Sequence, residues 1–377
     1  MKSILNEIEN LTTTEPVNTI ATYDNRYTIL TQNLDKTKTA FCFGVPIYNS
    51  HDRSIVNLKF HHNKENSYFT GSNAKITIGA SLYFKNDHGA CQAFLNGKIA
   101  KKTESAIYIL SSNGQMIEVR PTLNGLLFVV PYNNNIASTI RIVLDRPFES
   151  IRSNDKYFAV MRENFIPFIT VSCIGTINDQ KKVVSACEVS YEQTSELEYF
   201  LTFHPKNNLG KYLMYEINMQ ETKLFQDTTV ESNQPTVNNA FGGTAFIGQT
   251  DYFGEQWLYS RLELTNIPIV YNKKIVHAFL HIPKLDGHDS LLSVYSAAER
   301  FCSFGSNWEN KIPLSHHMTD SSISNEYHHL DITKLLEYID KKTVNLVIKA
   351  KEPESKPCIV STGDSFFKPP ILEVKFR

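Results

Sequence analysis

The sequence predicts an all-β protein. Two larger antiparallel β-sandwich domains of jelly-roll-like form are expected, with a small β-unit between them and an N-terminal arm. Three observations carry this expectation. Apolar and polar residues alternate along most of the chain, turn-forming residues interrupt the alternation at short intervals, and helical periodicity is confined to two short stretches.

Residues 1–36 read as the arm: Thr- and Asn-rich, weakly periodic, with a short helix over Ser3 to Asn10 for which Ser3 is the N-cap. Residues 37–150 read as the first sandwich. Ala74 to Phe84, Ser105 to Leu110 and Gln115 to Arg120 alternate with period two and are rich in Ile, Tyr, Phe and Thr, as half-buried strands are. Leu126 to Pro131 is an apolar run of strand length. Turn signals separate these runs at Lys85 to Gly89, Asn96-Gly97, Ser112 to Gly114, Asn124-Gly125 and Asn133 to Asn135.

Residues 151–218 form the small β-unit, with strands over Phe165 to Ile174 and Leu197 to Phe203. So short a stretch cannot bury a core of its own and is expected to pack on a neighbour. Residues 219–377 form the closing sandwich. Its one helix is expected from Asp331, where the carboxylate caps the first turn and Leu335, Leu336, Tyr338 and Ile339 supply an apolar face.

Within 219–377 a series of motifs follows in order: Asp227-Thr-Thr-Val230, Tyr259-Ser-Arg-Leu-Glu-Leu264, Val276 to Ile282, Ser303 to Asn310 around Trp308, Leu330-Asp-Ile-Thr333 and Pro370 to Phe376. This region resembles the DNRLRE domain family, a β-sandwich group that overlaps a class of carbohydrate-binding modules. The resemblance implies a sandwich that binds, braces or tethers rather than catalyses. It transfers no sugar-binding residue set to named positions, and a β-sandwich hosts many functions.

Two residue types in this region invite a role from the pattern alone. Arg261 lies in an alternating apolar strand, so its guanidinium is expected to pair with a carboxylate at the sandwich edge. Trp257 and Trp308 are read as core aromatics rather than ligand platforms.

Bulk properties exclude several classes. A net charge of −1 lacks the basic excess of a dedicated nucleic-acid binder and favours association between copies. No run approaches the roughly 18 apolar residues of a membrane-spanning helix, so membrane insertion is not expected. Met1 to Asn10 has no apolar stretch of the secretory type. The sequence-level expectation is cytoplasmic synthesis with an end location on a spore, cell or particle surface.

Chemistry is sparse. Phosphate-loop, dinucleotide, nucleophile-elbow and zinc-protease motifs are absent from the sequence, so neither a catalytic residue nor a cofactor is expected. Gly175-Thr-Ile-Asn178 follows a strand, but one glycine is too few to cradle a phosphate. The adjacent pairs His61-His62, His316-His317 and His328-His329 point to opposite faces of a strand and cannot easily share one ion. Asp286 and Asp289 are the only metal candidates, and two carboxylates fall short of the oxygens calcium needs. The six cysteines are scattered without a C-x-x-C pair and read as buried thiols. Cys173 and Cys187 flank an expected hairpin and are the closest candidates for a disulfide.

Two functions follow as expectations. The first is a non-enzymatic structural or assembly subunit of a surface layer, spore coat, appendage or phage-like particle, self-associating through the arm of residues 1–36 by strand addition. The alternative is a carbohydrate-binding adhesion protein with a polysaccharide partner. Its 18 Tyr and 23 Phe exceed what cores alone would take, and an exposed row of aromatics would favour it.

Overall fold

The computed structural model describes residues 4–11, 18–23, 25–132, 138–162, 166–220, 224–267, 270, 273–337, 343–352 and 356–377. Strand makes up 57% of it and helix 3%, in four sheets whose strand pairs are antiparallel, with no barrel. The chain forms two compact units: one is Tyr48–Thr222, and the other joins Met1–Ile47 to Lys223–Arg377.

This division differs from the four segments that composition suggests. Residues 37–150 and 151–218 are one sandwich, because Ser138–Leu144 pairs with Glu198–Pro205 in one sheet and Gly125–Pro131 pairs with Tyr212–Met219 in the other. Residues 1–36 are not a free arm either. Asn18–Tyr23, Thr28–Gln32 and Lys38–Phe43 are successive strands of a sheet that continues through Ile371–Phe376 and Ile275–Pro283. Polar Thr and Asn hid the strand character here, but Ile29, Ala40, Phe41 and Phe43 are fully buried.

In the discontinuous unit, that seven-stranded sheet faces a second built around Gly254–Glu263 and Thr343–Ala350. Alternate residues of each meet in one core: Ala40, Leu280, Leu372 and Val374 from the first, Ile247, Leu258, Leu346 and Ile348 from the second. Each such Leu or Ile contributes about 1.5–3 kcal/mol by leaving water. Two polar ties lock the edge of this core. Asp227 is 3% exposed, and its carboxylate accepts the Ser260 hydroxyl at 2.6 Å and the Gly363 N–H at 2.6 Å.

The expected helix forms over Thr333–Glu337. The Asp331 carboxylate accepts the Thr333 N–H at 2.9 Å, as an N-cap two residues upstream of that amide should. Tyr338 and Ile339, expected on its apolar face, lie outside the described residues, as do Ser3, Asn133 to Asn135 and Phe165. The N-terminal helix spans Ile4–Leu11, with Ile4, Ile8 and Leu11 buried on one side.

In the Tyr48–Thr222 unit, one sheet contains Ile166–Ile177, Tyr212–Met219 and Gly125–Pro131 at its centre. The other runs from Cys187–Ser195 through Glu198–Pro205, Ser138–Leu144, Gly89–Phe94, Leu82–Asn86, Lys75–Ile78 and Ser67–Thr70 to His61-His62. Phe128 and Tyr215 of the first stack at 4.8 Å, and Tyr215 stacks on Phe203 of the second at 4.2 Å. The alternating run expected over 74–84 is a hairpin, Lys75–Ile78 with Leu82–Asn86. The three-residue turn between Ile78 and Leu82 preserves parity, so Ile76, Ile78, Leu82 and Phe84 are all buried. Gly175 does not follow a strand but lies inside Ile166–Ile177 at a register shift, with φ +139°, where a Cβ would stand 2.5 Å from the Ser185 carbonyl oxygen. It is a bulge glycine.

Candidate functional site

The outward face of the second sheet in the Tyr48–Thr222 unit gathers side chains that a packing role does not require. Period two dictates the arrangement. In Ser67–Thr70 and Leu82–Asn86 a Tyr precedes a Phe, and the phenylalanines Phe69 and Phe84 fill the core at 1% and 0% exposure. The tyrosines therefore point outward: Tyr68 is 44% exposed and Tyr83 36%.

Register then aligns them. His61 pairs with Tyr68, Tyr68 with Thr77, Thr77 with Tyr83, Tyr83 with Gln92, and Gln92 with Val143. These residues form one row perpendicular to six strands. At roughly 4.8 Å per strand the two tyrosines stand about 10 Å apart, with a threonine hydroxyl between them. The imidazole of His61 stacks on Tyr68 at 5.3 Å.

A second row, on the far side of the first, pairs Phe94 with Arg141, Arg141 with Phe200, and Phe200 with Glu192. The Arg141 guanidinium lies 4.8 Å over the Phe94 ring and is ion-paired with Glu198, which fixes it flat on the face. Phe200 is 37% exposed. A third row, beyond the tyrosines, pairs Thr70 with Lys75 and Lys75 with Lys85. The face thus offers aromatic planes interleaved with hydroxyl, amide, imidazole and cationic groups.

The sequence-predicted residues are placed elsewhere, and most are structural. Arg261 ion-pairs with Glu263, two residues along the same strand, and donates to the Phe301 carbonyl at 3.3 Å. Asp286 accepts the Ile359 N–H at 2.7 Å and the His288 N–H at 3.2 Å, while Asp289 is ion-paired with the buried Lys284 ammonium. An ammonium against one carboxylate and amides against the other leave no cation-binding arrangement there. Among the described residues no three His, Cys, Asp or Glu side chains converge as metal ligands.

Trp257 is 9% exposed and packs edge-on to Trp308 at 5.3 Å. Lys311 Nζ lies over the Trp308 ring at 3.7 Å and Lys349 Nζ over Trp257 at 4.2 Å, so each indole already carries a cation. All six cysteines are thiols, and only Cys302 is exposed. Cys173 and Cys187 do come together: burial pushes the Cys173 thiol well up, and its hydrogen bond with Cys187 adds to that.

Sequence reasoning missed a part-buried network on the discontinuous unit. Glu373 sits opposite Phe279, between His277 and His281 on the neighbouring strand. Its carboxylate meets His281 Nε2 at 2.9 Å and His277 Nε2 at 3.3 Å, and His281 Nδ1 meets His329 Nδ1 at 2.7 Å. His281 donates its Nε2–H to the Glu373 carboxylate, and the two Nδ1 atoms share one hydrogen bond between the imidazoles. Burial pushes the Glu373 carboxyl up, but the bonds from His277 and His281 outweigh it and hold it at about 2. His328, the other member of its pair, turns inward and is fully buried, so adjacent histidines do part to opposite faces. The sequence signal was available in the alternation His277-Ala-Phe-Leu-His281.

An open cleft of about 670 Å³ in the Tyr48–Thr222 unit, lined by His88, Arg146, Phe148 and Arg162, holds no paired carboxylates or activated nucleophile among its described lining residues. Comparison with protein-family models finds no match, and comparison with curated proteins finds none. Among solved structures, the N-terminal domain of the Streptococcus gordonii adhesin Sgo0707 is similar at 7% identity with a TM-score of 0.19, covering 97% of this chain and 96% of that one. At that score the two backbones do not superpose as one fold, and the architecture stands on its own sheets.

Proposed function

We propose that this is a non-enzymatic polysaccharide-binding protein of the adhesion type, with the outward sheet face of the Tyr48–Thr222 unit as its ligand surface. The carrying observation is the row His61, Tyr68, Thr77, Tyr83, Gln92. A sugar ring presents an apolar C–H face and a rim of hydroxyls. Flat aromatic rings stack against the first, and short polar side chains between them meet the second. A sheet holds both at the strand spacing without a deep pocket, which suits a polymer better than a small molecule.

Pull-down of the full chain with insoluble polysaccharides, and a glycan array, test this reading. Retention of the wild type and loss in a Tyr68→Ala/Tyr83→Ala variant is the expected result. Absence of binding to every acidic and neutral polysaccharide would sink it.

One observation supports a second reading, a self-assembling surface subunit. Asn18–Tyr23 closes one side of its sheet and pairs only with Thr28–Gln32 among the described residues. Such an edge accepts a strand from another chain. Because residues 18–43 are built into their own unit, this reading now rests on edge addition and not on an arm. Size-exclusion chromatography and negative-stain microscopy over a concentration series check it.

A further inference from the structure

The third row of the candidate face carries a charge pattern with no internal explanation. Lys75 and Lys85 are direct cross-strand partners, both exposed, on the outward side of the hairpin. Like charges placed directly opposite destabilise a sheet. Neither lysine forms an ion pair with a described residue. The contrast lies on the same face, where Arg141 is neutralised by Glu198. Asp145, at the end of the strand beyond Gly89–Phe94, accepts the Ala90 N–H at 2.9 Å.

The two ammonium groups flank the tyrosine row on one side. Lys75 is two residues from Thr77, and Lys85 is two residues from Tyr83, so they share the ring-bearing face and lie one pleat away from it. A ligand stacked on Tyr68 and Tyr83 would have its edge over both.

We propose that the ligand of this face is an anionic polysaccharide, one bearing uronate carboxylates, with Lys75 and Lys85 as the residues that select it. This rests on the polysaccharide-binding reading of the same face. An anionic polymer supplies the counter-charge that the hairpin lacks, and the repulsion between the lysines is relieved only when the ligand is bound. Single-stranded nucleic acid shares the stacking-plus-cation logic. It is disfavoured because a dedicated nucleic-acid binder carries a basic stripe along the path of the backbone, and this chain, at a net charge of −1, offers two lysines there.

The test uses the full chain, with polygalacturonate, a neutral β-glucan and an oligothymidylate as probes, measured by calorimetry or affinity electrophoresis. The wild type is expected to bind polygalacturonate more tightly than the neutral glucan, with affinity that falls as salt rises. Lys75→Gln/Lys85→Gln should lose roughly three- to thirtyfold of the polygalacturonate affinity. It should leave glucan affinity unchanged and raise Tm slightly, since the repulsion is gone. Equal wild-type affinity for both glycans, or an unchanged double variant, overturns the inference while leaving the polysaccharide reading in place. No binding to either glycan overturns both. Oligothymidylate bound more tightly than polygalacturonate, with the same lysine dependence, overturns the ligand class.

Discussion

His281 Nδ1 and His329 Nδ1 stand 2.7 Å apart across paired strands, with Glu373 on the opposite nitrogen of His281, so one part-buried line of groups runs from an imidazole through a second to a carboxylate. Burial, then the nearness of His281, pull the His329 pKa down to about 4, and burial does the same to His328. In the unfolded chain both protonate near 6.5. The unfolded state therefore takes up protons between those values that the folded state refuses, and stability falls as pH drops from 6.5 towards 4. Glu373 has the depressed carboxylate's sign: it adds stability above 4.5 that is lost as pH falls towards 2. The expected outcome is a Tm that declines steadily below pH 6.5, by roughly 2–4 °C for each kcal/mol lost. His328→Leu should flatten the decline. Calorimetry from pH 8 to 4 checks this, and a flat Tm over that range contradicts neutral burial of the pair.

Asp227 ties two strand ends through Ser260 and Gly363. Asp227→Ala leaves a buried N–H and hydroxyl without their acceptor, which costs about 2–4 kcal/mol. Urea unfolding should show a lower midpoint. Asp227→Asn keeps one acceptor oxygen and should lose less.

The Tyr-Phe alternation predicts a clean separation of roles. Phe69→Ala or Phe84→Ala should cost about 3–5 kcal/mol of stability, because each empties a core site. Tyr68→Ala and Tyr83→Ala should change stability by less than about 1 kcal/mol and remove polysaccharide retention. Thermal melts beside pull-downs of the four single variants decide it; equal stability losses at all four positions would mean the tyrosines are structural.

Cysteine accessibility offers a direct check on burial. In the native protein an aromatic disulfide reagent should titrate one thiol, Cys302, and after denaturation in guanidinium all six. Peptide mapping of the native adduct should place the label on Cys302 alone. Rapid native labelling of Cys173 or Cys187 would be inconsistent with the thiol contact between them.

Period-two alternation made the strand content legible, and with it the inward Phe69 and Phe84 and the opposite directions of His328 and His329. It also placed Arg261 and Glu263 on one face of one strand. What alternation does not encode is the neighbour a strand takes. Each strand's pattern says which face is buried, and pairing is set by tertiary contacts between distant segments. Thus Lys38–Phe43 gave no sign that its partner is Ile371–Phe376, and the early strands read as an arm. The candidate face was hidden for the same reason. Tyr68, Tyr83 and Gln92 are unremarkable one by one and become a row only once three registers are known.

The union of Lys38–Phe43 with Ile371–Phe376 also sets the order of assembly during translation. The Tyr48–Thr222 unit has all its strands as soon as it leaves the ribosome, so it can fold while the rest is being made. The first three strands of the other unit must wait, with apolar Phe41 and Phe43 uncovered, until the final strand emerges. A chain that stops short of Ile371 leaves that early sheet without its central neighbour. The last strand thus acts as a completeness check: an interrupted copy carries a finished ligand-bearing unit attached to one that cannot close, and exposes itself to proteolysis.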